Sequence, residues 1–454
     1  MSAGSTYTLL IVESPVIARI VQRNAPSSVY VISTNGYAWK PVYDAEKHHL
    51  KAMADPDQIG FRKELKQQAS WAGNVIIATD PDPSGDFIAW SVHKFLKDPS
   101  VKRSYIQHLG KRGIERLIST AEVMKPSLME QRLKNRSLIR HQWKQSGNRP
   151  SMEVAALASI FSDHFSFRNF RDQSGNLWKS NRPVRCNPDE WIPLNDQINE
   201  SEYHTPEPLS TFDLLQLAVE KDLYSSLENA QETLQQLFTH TLDYNQNSLI
   251  SYPRTAANSF FSETWSELQN QFYKVHTQDE FKPVFIRNIA GSDVAHESIY
   301  PLDLELTPEK VSGELLSTLR DLYKLIHDRT LKAISVPKEK FNAYQSPFHP
   351  DINFYCPDSD SDSPSAELMP VRTIADTGSI LNSLGVQSPS SFGKGMDRWQ
   401  DKNYLKIEGR FVTPGKYLTP YLNKGPKYAR EIGKLNEVSE HPDLTTETIH
   451  ATLT

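Results

Sequence analysis

Asn74-Val75-Ile76-Ile77-Ala78-Thr79-Asp80-Pro81-Asp82-Pro83-Ser84-Gly85-Asp86 is the stretch on which the reading of this chain turns. It begins as an apolar run of strand length, and the acids start where that run stops. An apolar segment of helical length, Phe87 to Leu96, follows them. Working outward, the same order recurs. Thr6 to Val12 reads as a buried strand ending at Glu13-Ser14-Pro15, with a helix pattern behind it through Ile17, Ile20 and Val21. Val29 to Ile32 gives another strand, running into Asn35-Gly36-Tyr37. Ser104 to His108 gives a fourth, ahead of a helix around Ile114 to Leu117. Strands alternating with helices imply an α/β unit with a largely parallel sheet. Such sheets carry their sites at the carboxyl ends of strands, where Glu13 and the Asp80/Asp82 pair both fall. Two acids one residue apart, with a third across the sheet, make an oxygen-rich site suited to Mg²⁺. By itself Asp80-Pro81-Asp82-Pro83 is equally a turn with a helix cap. Glu13, the third point, favours the metal.

The chain has 454 residues, too many for one core, so several domains are expected. Apolar residues make up 38% and mean hydropathy is −0.54. No apolar run approaches the roughly 18 residues of a membrane span, so no membrane partner is expected. The N-terminus has neither the basic start nor the long apolar centre of a signal peptide. Two distant cysteines, Cys186 and Cys356, suggest no zinc site and no disulfide framework. Together these features give an intracellular, cytoplasmic expectation. A net charge of −5 is not that of a general nucleic-acid binder, but the charge is uneven. Lys125 to Arg149 holds seven Lys/Arg against one Glu, whereas Asp189 to Glu207 holds six acids and no Lys or Arg. A basic stripe on an acidic body fits a protein that grips phosphate in one groove and repels it elsewhere. A solvated helix face accounts for the stripe equally well on charge alone.

Leu249-Ile250-Ser251-Tyr252-Pro253-Arg254-Thr255 sets a phenol beside a proline-stiffened turn, with a guanidinium and then a hydroxyl after it. A phenol with a pKa of about 10 is a poor nucleophile at neutral pH. Beside a fixed cation and a phosphate it can attack phosphorus and hold the product as a covalent ester. Arg254 suits the cation's part, since its planar fork binds phosphate in a bidentate way. Alone, a tyrosine before a turn is packing; its neighbours along the chain decide otherwise.

Ile11-Val12-Glu13-Ser14-Pro15 and Ala78-Thr79-Asp80-Pro81-Asp82-x-x-Gly85-Asp86-x-Ile88-Ala89-Trp90 together resemble the Toprim domain of type IA DNA topoisomerases. The resemblance continues in the family's order. Gln145-Ser146-Gly147-Asn148-Arg149-Pro150-Ser151 resembles its Ser-Ala-Gly-Arg-Val-Gln segment, and Pro208 to Gln216 its Pro-Leu-Thr-Thr helix start. Leu249 to Thr255 resembles its Ile-Thr-Tyr-x-Arg-Thr segment, Ala295-His296-Glu297-Ser298-Ile299 its Ala-His-Glu-Ala-Ile, and Leu384 to Phe392 its Leu-Gly-Ile-Gly-Arg-Pro-Ser-Thr-Tyr. The fold implied is multidomain α/β and α: a Toprim domain, helical domains and a β-rich arch closing a toroid. Toprim would cover 1–120. A helical DNA-binding domain would combine 121–160 with 373–454, and the arch 161–209 with 336–372. The tyrosine-bearing helical domain would be 210–335. Local patterns agree. Ser225-x-x-Glu228 reads as a capping box ahead of Leu227, Ala230, Leu234, Leu237 and Phe238. Phe165 to Trp178 reads as arch strand, Asp358 to Ser363 as a polar loop, and Arg398 to Phe411 as a helix then a hairpin-like strand.

The activity implied is ATP-independent transfer of one strand of single-stranded or negatively supercoiled DNA onto Tyr252 as a 5′-phosphotyrosine, with strand passage and religation. Arg254 would stabilise the transition state, Glu13 would shuttle a proton, and Glu13, Asp80 and Asp82 would hold Mg²⁺. Arg149, His296, Thr255, Arg140 and Lys144 would contact DNA, with Trp143 as a stacking platform. The chain would be a monomeric, nucleoid-associated minimal core without zinc ribbons, calling on accessory DNA-binding partners. It departs from the family at three places. Ser84 takes the third acidic place, with Asp86 alone following. Ser14 and Ile17 stand where a lysine belongs, leaving Arg19 as nearest cation, and Gly36-Tyr37 stands for Gly-His. An active enzyme with a raised Mg²⁺ demand or a low rate is the expectation. The alternative is a weakened accessory protein that clamps single-stranded DNA without cutting it. That accounts for the losses but not for the intact Tyr252 and Arg254. A Toprim primase or nuclease is opposed by everything after residue 145.

Overall fold

The computed structural model describes residues 7–44, 46–47, 49–147, 149–162, 165–195, 206–242, 248–275, 295–335, 343–356, 367–441 and 444–453. The chain opens with β1 (Thr8–Val12), α1 (Pro15–Asn24), β2 (Val29–Ser33), β3 (Trp39–Asp44), β4 (His49–Ala54), α2 (Ile59–Trp71), β5 (Asn74–Ala78), α3 (Pro83–Leu96), β6 (Lys102–Arg103), α4 (Lys111–Ser119) and β7 (Glu122–Val123). Five strands form one sheet in the order β2-β1-β5-β6-β7, parallel except for β7. On β1 and β5, Leu10, Val12, Ile76 and Ala78 join one apolar cluster, while Leu9, Ile11, Val75 and Ile77 join another. Both faces are covered, which is why these strands read as continuous apolar runs without alternation. Val12 pairs with Ala78, so Glu13 and the acid loop leave the sheet side by side.

The fourth strand is shorter and earlier than its sequence suggests. It stops at Arg103, and Ser104 gives one last bond, to the Ile77 carbonyl, before the chain turns away. The turn carries the Gln107 carbonyl to the backbone amide of Tyr252.

Helices α5 (Pro126–Gln145) and α6 (Met152–Ile160) follow, then β8 (Phe167–Arg171), β9 (Leu177–Val184) and β10 (Ile192–Pro193). Next come α7 (Thr211–Glu220), α8 (Leu227–Thr239), α9 (Ser262–Val275) and α10 (Ser317–Ile334). The remainder is β11 (Tyr344–Ser346), β12 (His349–Tyr355), β13 (Glu367–Thr373), α11 (Ile374–Ser383), α12 (Phe392–Asp401), β14 (Leu405–Glu408), β15 (Phe411–Pro414), α13 (Gly425–Ser439) and α14 (Thr446–Leu453). A second, antiparallel sheet runs β11-β12-β9-β8-β13-β15-β14, with β10 also on β13. It extends past the boundary expected at 372, because Arg372 and Thr373 pair with Val412 and Phe411 of the β14–β15 hairpin. The cap of α8 is Ser226, one residue later than the sequence pattern places it. Ser226 Oγ accepts from Asn229 N, and Asp397 accepts from the amides of Leu227 and Glu228. The expected polar loop at 358–363 lies outside the described residues.

Arg372 ties the second sheet to the helical layers. It is 3% exposed, lies over the Phe167 ring at 3.8 Å, and donates to the carbonyls of Ile160, Phe165 and Ser166. Removing it takes the donor from three carbonyls, that of Ile160 buried and those of Phe165 and Ser166 half-buried, and each charged hydrogen bond is worth about 1.5–3 kcal/mol. Arg372→Leu is expected to lower urea-unfolding stability by about 3 kcal/mol or more; a loss under about 1 kcal/mol would refute the clamp.

Candidate active site

Three stretches distant in sequence meet around Tyr252. Ser210 caps α7 in a reciprocal box with Asp213, and Leu209 just before it accepts from Ile299 N at 2.7 Å. Ser251 N donates to the Tyr300 carbonyl, Ser251 Oγ to the Ser298 carbonyl, and Leu302 N to the Leu249 carbonyl. Tyr252 therefore sits on irregular backbone held from several sides, not at a strand end. Glu297, the acid after His296, is structural. Its oxygens accept from Phe261 N, Thr264 Oγ1 and Tyr300 Oη, fixing the start of α9.

The phenol is 4% exposed. Its ring stacks on His296 with centroids 4.1 Å apart and planes 23° from parallel, and meets Phe238 edge-on at 5.6 Å. Burial first, then the facing Asp80 carboxylate, holds its pKa well above the usual 10, against the pull of Arg254. Asp80 lies near the hydroxyl without a formed hydrogen bond; Oη is buried and has no partner among the described residues. Arg254 Nη1 donates to Asp80 Oδ2 at 2.7 Å, joining the tyrosine segment to the acid loop. Burial works against that guanidinium's charge, but Tyr252, Asp80 and Glu13 raise its pKa.

Glu13 is pushed up to about 7, by burial and then by repulsion from Asp80 and Asp82, with Arg254 opposing. Its Oε2 is buried without a partner among the described residues. The other acids are occupied. Asp82 Oδ1 accepts from Gly85 N at 2.8 Å as the cap of α3, and its Oδ2 accepts from Ser390 Oγ at 2.9 Å. Asp86 pairs with Arg103 at 3.0 Å, and Arg103 also donates to the carbonyls of Asp80 and Gly85. Gly85 is required here, since a Cβ on it would lie 2.0 Å from the Asp80 carbonyl oxygen. Asp82 thus fulfils the helix-cap reading and Asp80 does not. No three His, Cys, Asp or Glu form a metal-holding group among the described residues. Glu13 Oε2 and the second oxygen of Asp80 remain as donors, which fits a cation that uses one or two carboxylates and completes its shell with water and substrate phosphate.

The departures in this loop compensate one another. Tyr37 Oη donates to Ser84 Oγ at 2.7 Å, so the residues standing for a histidine and a glutamate bind each other. Ser14 caps α1, and Ile17 is buried in the core. Arg19 points along the exposed side of α1 to the Pro15 carbonyl, so the cations at the acids are Arg103 and Arg254 instead. Sequence reasoning missed Arg103, Gln107 and Ser390. Only Ser390 carried a signal, lying in the Pro389-Ser390-Ser391 motif.

Four expected DNA contacts are corrected. Trp143 is 2% exposed, donates from Nε1 to the Pro150 carbonyl and meets Tyr428 edge-on, so no base can stack on it. The Arg149 fork is spent on Glu431 and the Leu453 carbonyl. Buried Thr255 accepts from Ala257 N, and its backbone bonds Thr211. His296 is buried and its pKa is pushed down to about 3 by desolvation, so it stands neutral and is no phosphate-binding cation. Arg140 and Lys144 are exposed. A cavity of about 240 Å³, lined in part by Arg136, Arg140, Asn436, Tyr37 and Ser84, leads from that stripe to the acid loop.

Residues 8–112 match the Toprim domain family and residues 195–345 a family described as DNA topoisomerase. Toprim domains bind divalent metal ions. The structure is similar to that of full-length topoisomerase I from Thermotoga maritima, with a TM-score of 0.67 over 98% of this chain and 89% of that one, at 16% identity. That likeness establishes the fold.

The neutral His296 gives stability a pH dependence. A histidine titrates near 6.5 when unfolded and near 3 here, so the unfolded chain binds the extra proton as pH falls. The stability it contributes is present above about 6.5 and is lost on acidification toward 3, amounting to about 2 kcal/mol between pH 7 and 5. In urea unfolding, His296→Gln should lose about 2 kcal/mol less than the parent over that interval; identical pH slopes would disprove the assignment.

Proposed function

The chain belongs to the type IA DNA topoisomerases, and on that premise we propose that Tyr252 attacks a phosphate of single-stranded DNA to form a 5′-phosphotyrosine and a free 3′-hydroxyl. The second strand passes through the break, and the hydroxyl reverses the attack. The ester stores the energy of the phosphodiester bond, so no ATP is consumed. One observation carries the reading: Tyr252 Oη, Glu13 Oε2 and His296 Nε2 are buried polar atoms without partners among the described residues, gathered about the Arg254–Asp80 pair. Buried polar atoms are ordinarily paired. A nucleophile and an acid left open together suit a substrate that supplies the missing partners.

Arg254 neutralises charge developing on the phosphorane oxygens, and its fork retains donors beyond the one on Asp80. Glu13, protonated for an appreciable part of the time near neutral pH, gives its proton to the leaving 3′-oxygen and takes it back on religation. Arg140 and Lys144 grip the strand through its phosphates. A divalent cation, Mg²⁺ on this reading, would be held by Glu13 and Asp80 and would supply charge to offset the phosphate. With Asp82 committed to a cap and to Ser390, and Ser84 to Tyr37, that site is short of one carboxylate.

Incubation with single-stranded oligonucleotide followed by denaturation is expected to leave 5′-linked protein. Tyr252→Phe should bind the oligonucleotide with unchanged affinity and trap none. A parent that shifts the oligonucleotide only before denaturation would be the non-cutting clamp. Ser84→Glu, placing a carboxylate where Tyr37 now binds, should lower the Mg²⁺ concentration for half-maximal relaxation severalfold. An unchanged requirement would remove the shortage argument.

A further inference from the structure

Helix α4 leaves the turn that holds Tyr252, and its outer face carries charges that the cleavage step does not use. Leu109, two residues before the helix, donates from its amide to Ser248 Oγ, so α4 starts beside the tyrosine segment. Its inner face is fixed to the Toprim side. Gly113, Ile114 and Leu117 are buried, and a Cβ on Gly113 would lie 2.4 Å from the His108 carbonyl oxygen. The outer face presents Arg112 and Arg116, one turn or about 6 Å apart along the axis. Opposite them α9 presents Glu263 and Glu267 at the same spacing. The two rows meet in reverse order, Arg112 with Glu267 and Arg116 with Glu263 at 2.7 Å. Leu268 and Phe272 anchor α9 in a separate apolar cluster with Phe260, Tyr300 and Leu304, so each row belongs to its own side. These pairs hold little. Side-chain exposure is 80% for Arg112 and 76% for Glu263, and ion pairs open to water contribute about 0–1 kcal/mol each.

We propose that Arg112 and Arg116 are a second DNA contact: they grip the backbone of the strand in transit when the seam opens, and Glu263 and Glu267 stand in for its phosphates while the seam is shut. The proposal rests on the strand-cleaving reading and adds to it where the passing strand is held. A guanidinium fork takes a carboxylate and a phosphate by the same two-donor geometry, so one replaces the other at little cost. Opening also sorts the charges by side. The cleaved 5′ end is carried on Tyr252, whose segment bonds to Ser298, Tyr300 and Leu302 on the α9 side. There Glu263 and Glu267 lose their partners and repel a second backbone. Arg112, Arg116 and the exposed Lys111 stand on the Toprim side and attract it. The entering strand is therefore drawn to the wall that does not carry the covalent end. Phe261, the ring beneath Arg116, departs with the acids. The grip that remains is on phosphate, which carries no sequence preference. Closure returns the carboxylates to the forks and releases the strand.

Two double variants of the full chain provide the test, Arg112→Gln with Arg116→Gln and Glu263→Gln with Glu267→Gln. Each breaks the same two pairs, so a simple latch responds alike to both. Relaxation of negatively supercoiled plasmid is read relative to single-turnover oligonucleotide cleavage by the same variant. It should fall at least about fivefold in the arginine variant and not fall in the glutamate variant. Shifts in the same direction would leave only a latch and overturn the proposal. The second measurement needs no cleavage. Oligothymidylate binding across a salt series should show a slope of log K against log salt that is steeper by about 1.4 in the glutamate variant, twice the roughly 0.7 of one single-strand contact. The slope should return to the parent value when all four substitutions are combined. An unchanged slope in the glutamate variant, or a steeper one that survives in the combined variant, would also overturn it. A parent that forms no covalent adduct would instead defeat the strand-cleaving reading, and the salt slopes would still decide whether Arg112 and Arg116 bind a backbone.

Discussion

The contact on which the rest depends is the ion pair between Arg254 and Asp80, 174 residues apart in sequence and 2.7 Å apart in space. It sits where the tyrosine segment closes on the acid loop, and it settles the electrostatics of both. Without the guanidinium, Asp80 would face the phenol as a bare anion and Glu13 as a repelling neighbour. Without Asp80, Arg254 would be a half-buried charge lacking its counter-ion, which is costly in a site of low dielectric. The pair leaves the rest of the guanidinium fork free for a phosphate. The same arrangement that makes the closed state tolerable thus prepares it to receive an anion.

The acid loop shows how such a site loses charged groups and stays intact. Asp82 and Asp86 are held by a helix N-terminus with Ser390 and by Arg103 respectively. A further glutamate at position 84 would add an anion to that crowd; Ser84 adds none and receives the Tyr37 hydroxyl. At position 17 an ammonium would have to enter the apolar cluster that Ile17 now shares with Ile20 and Val21. The charge lost on one side matches the charge lost on the other. The loop is coherent in its present form, with Glu13 as its open carboxylate.

Much of this was legible in the sequence, and the limits have a physical cause. Strand–loop–helix order, acids at strand ends and the segment around Tyr252 are local patterns, and local patterns survive in one dimension. The sheet's two-sided burial was legible because parallel strands covered on both faces are apolar throughout. What could not be read was partner choice. Arg149, Trp143 and Thr255 carry the side chains of a DNA-binding surface, but Glu431, Pro150 and Ala257 claim them; the Arg149–Glu431 pairing joins segments 282 residues apart, and the two local ones depend on turns that side-chain type does not reveal. Gln107 stood in a stretch that reads as a plain strand, Ser104 to His108, with Arg103 just before it. The strand stops early, and this releases Gln107 toward Tyr252. The boundary near 372 blurred for a similar reason, since a sheet edge recruits whichever hairpin is near enough to pair with it.

The closed seam is also held in a way suited to being opened. Among the described residues its directed contacts are few: Arg254 with Asp80, Gln107 with Tyr252, Ala295 and His296, Leu109 N with Ser248 Oγ, and Arg112 and Arg116 of α4 with Glu267 and Glu263 of α9. The two α4–α9 pairs are exposed, and such pairs contribute about 0–1 kcal/mol each and weaken with salt. They align the surfaces more than they bind them. The inner contacts are worth more, and one of them, the Arg254–Asp80 pair, is one a phosphate can replace, because a bound strand offers Arg254 another anion. Substrate therefore competes for the groups that keep the seam shut. Apolar packing also crosses the seam, where Leu10, Val12, Ile106 and Leu109 share one cluster with Phe238, Leu249 and Ile250, and opening has to expose that area. Holding the seam with hydrogen bonds that the DNA can take over lets one set of residues serve as both latch and active site.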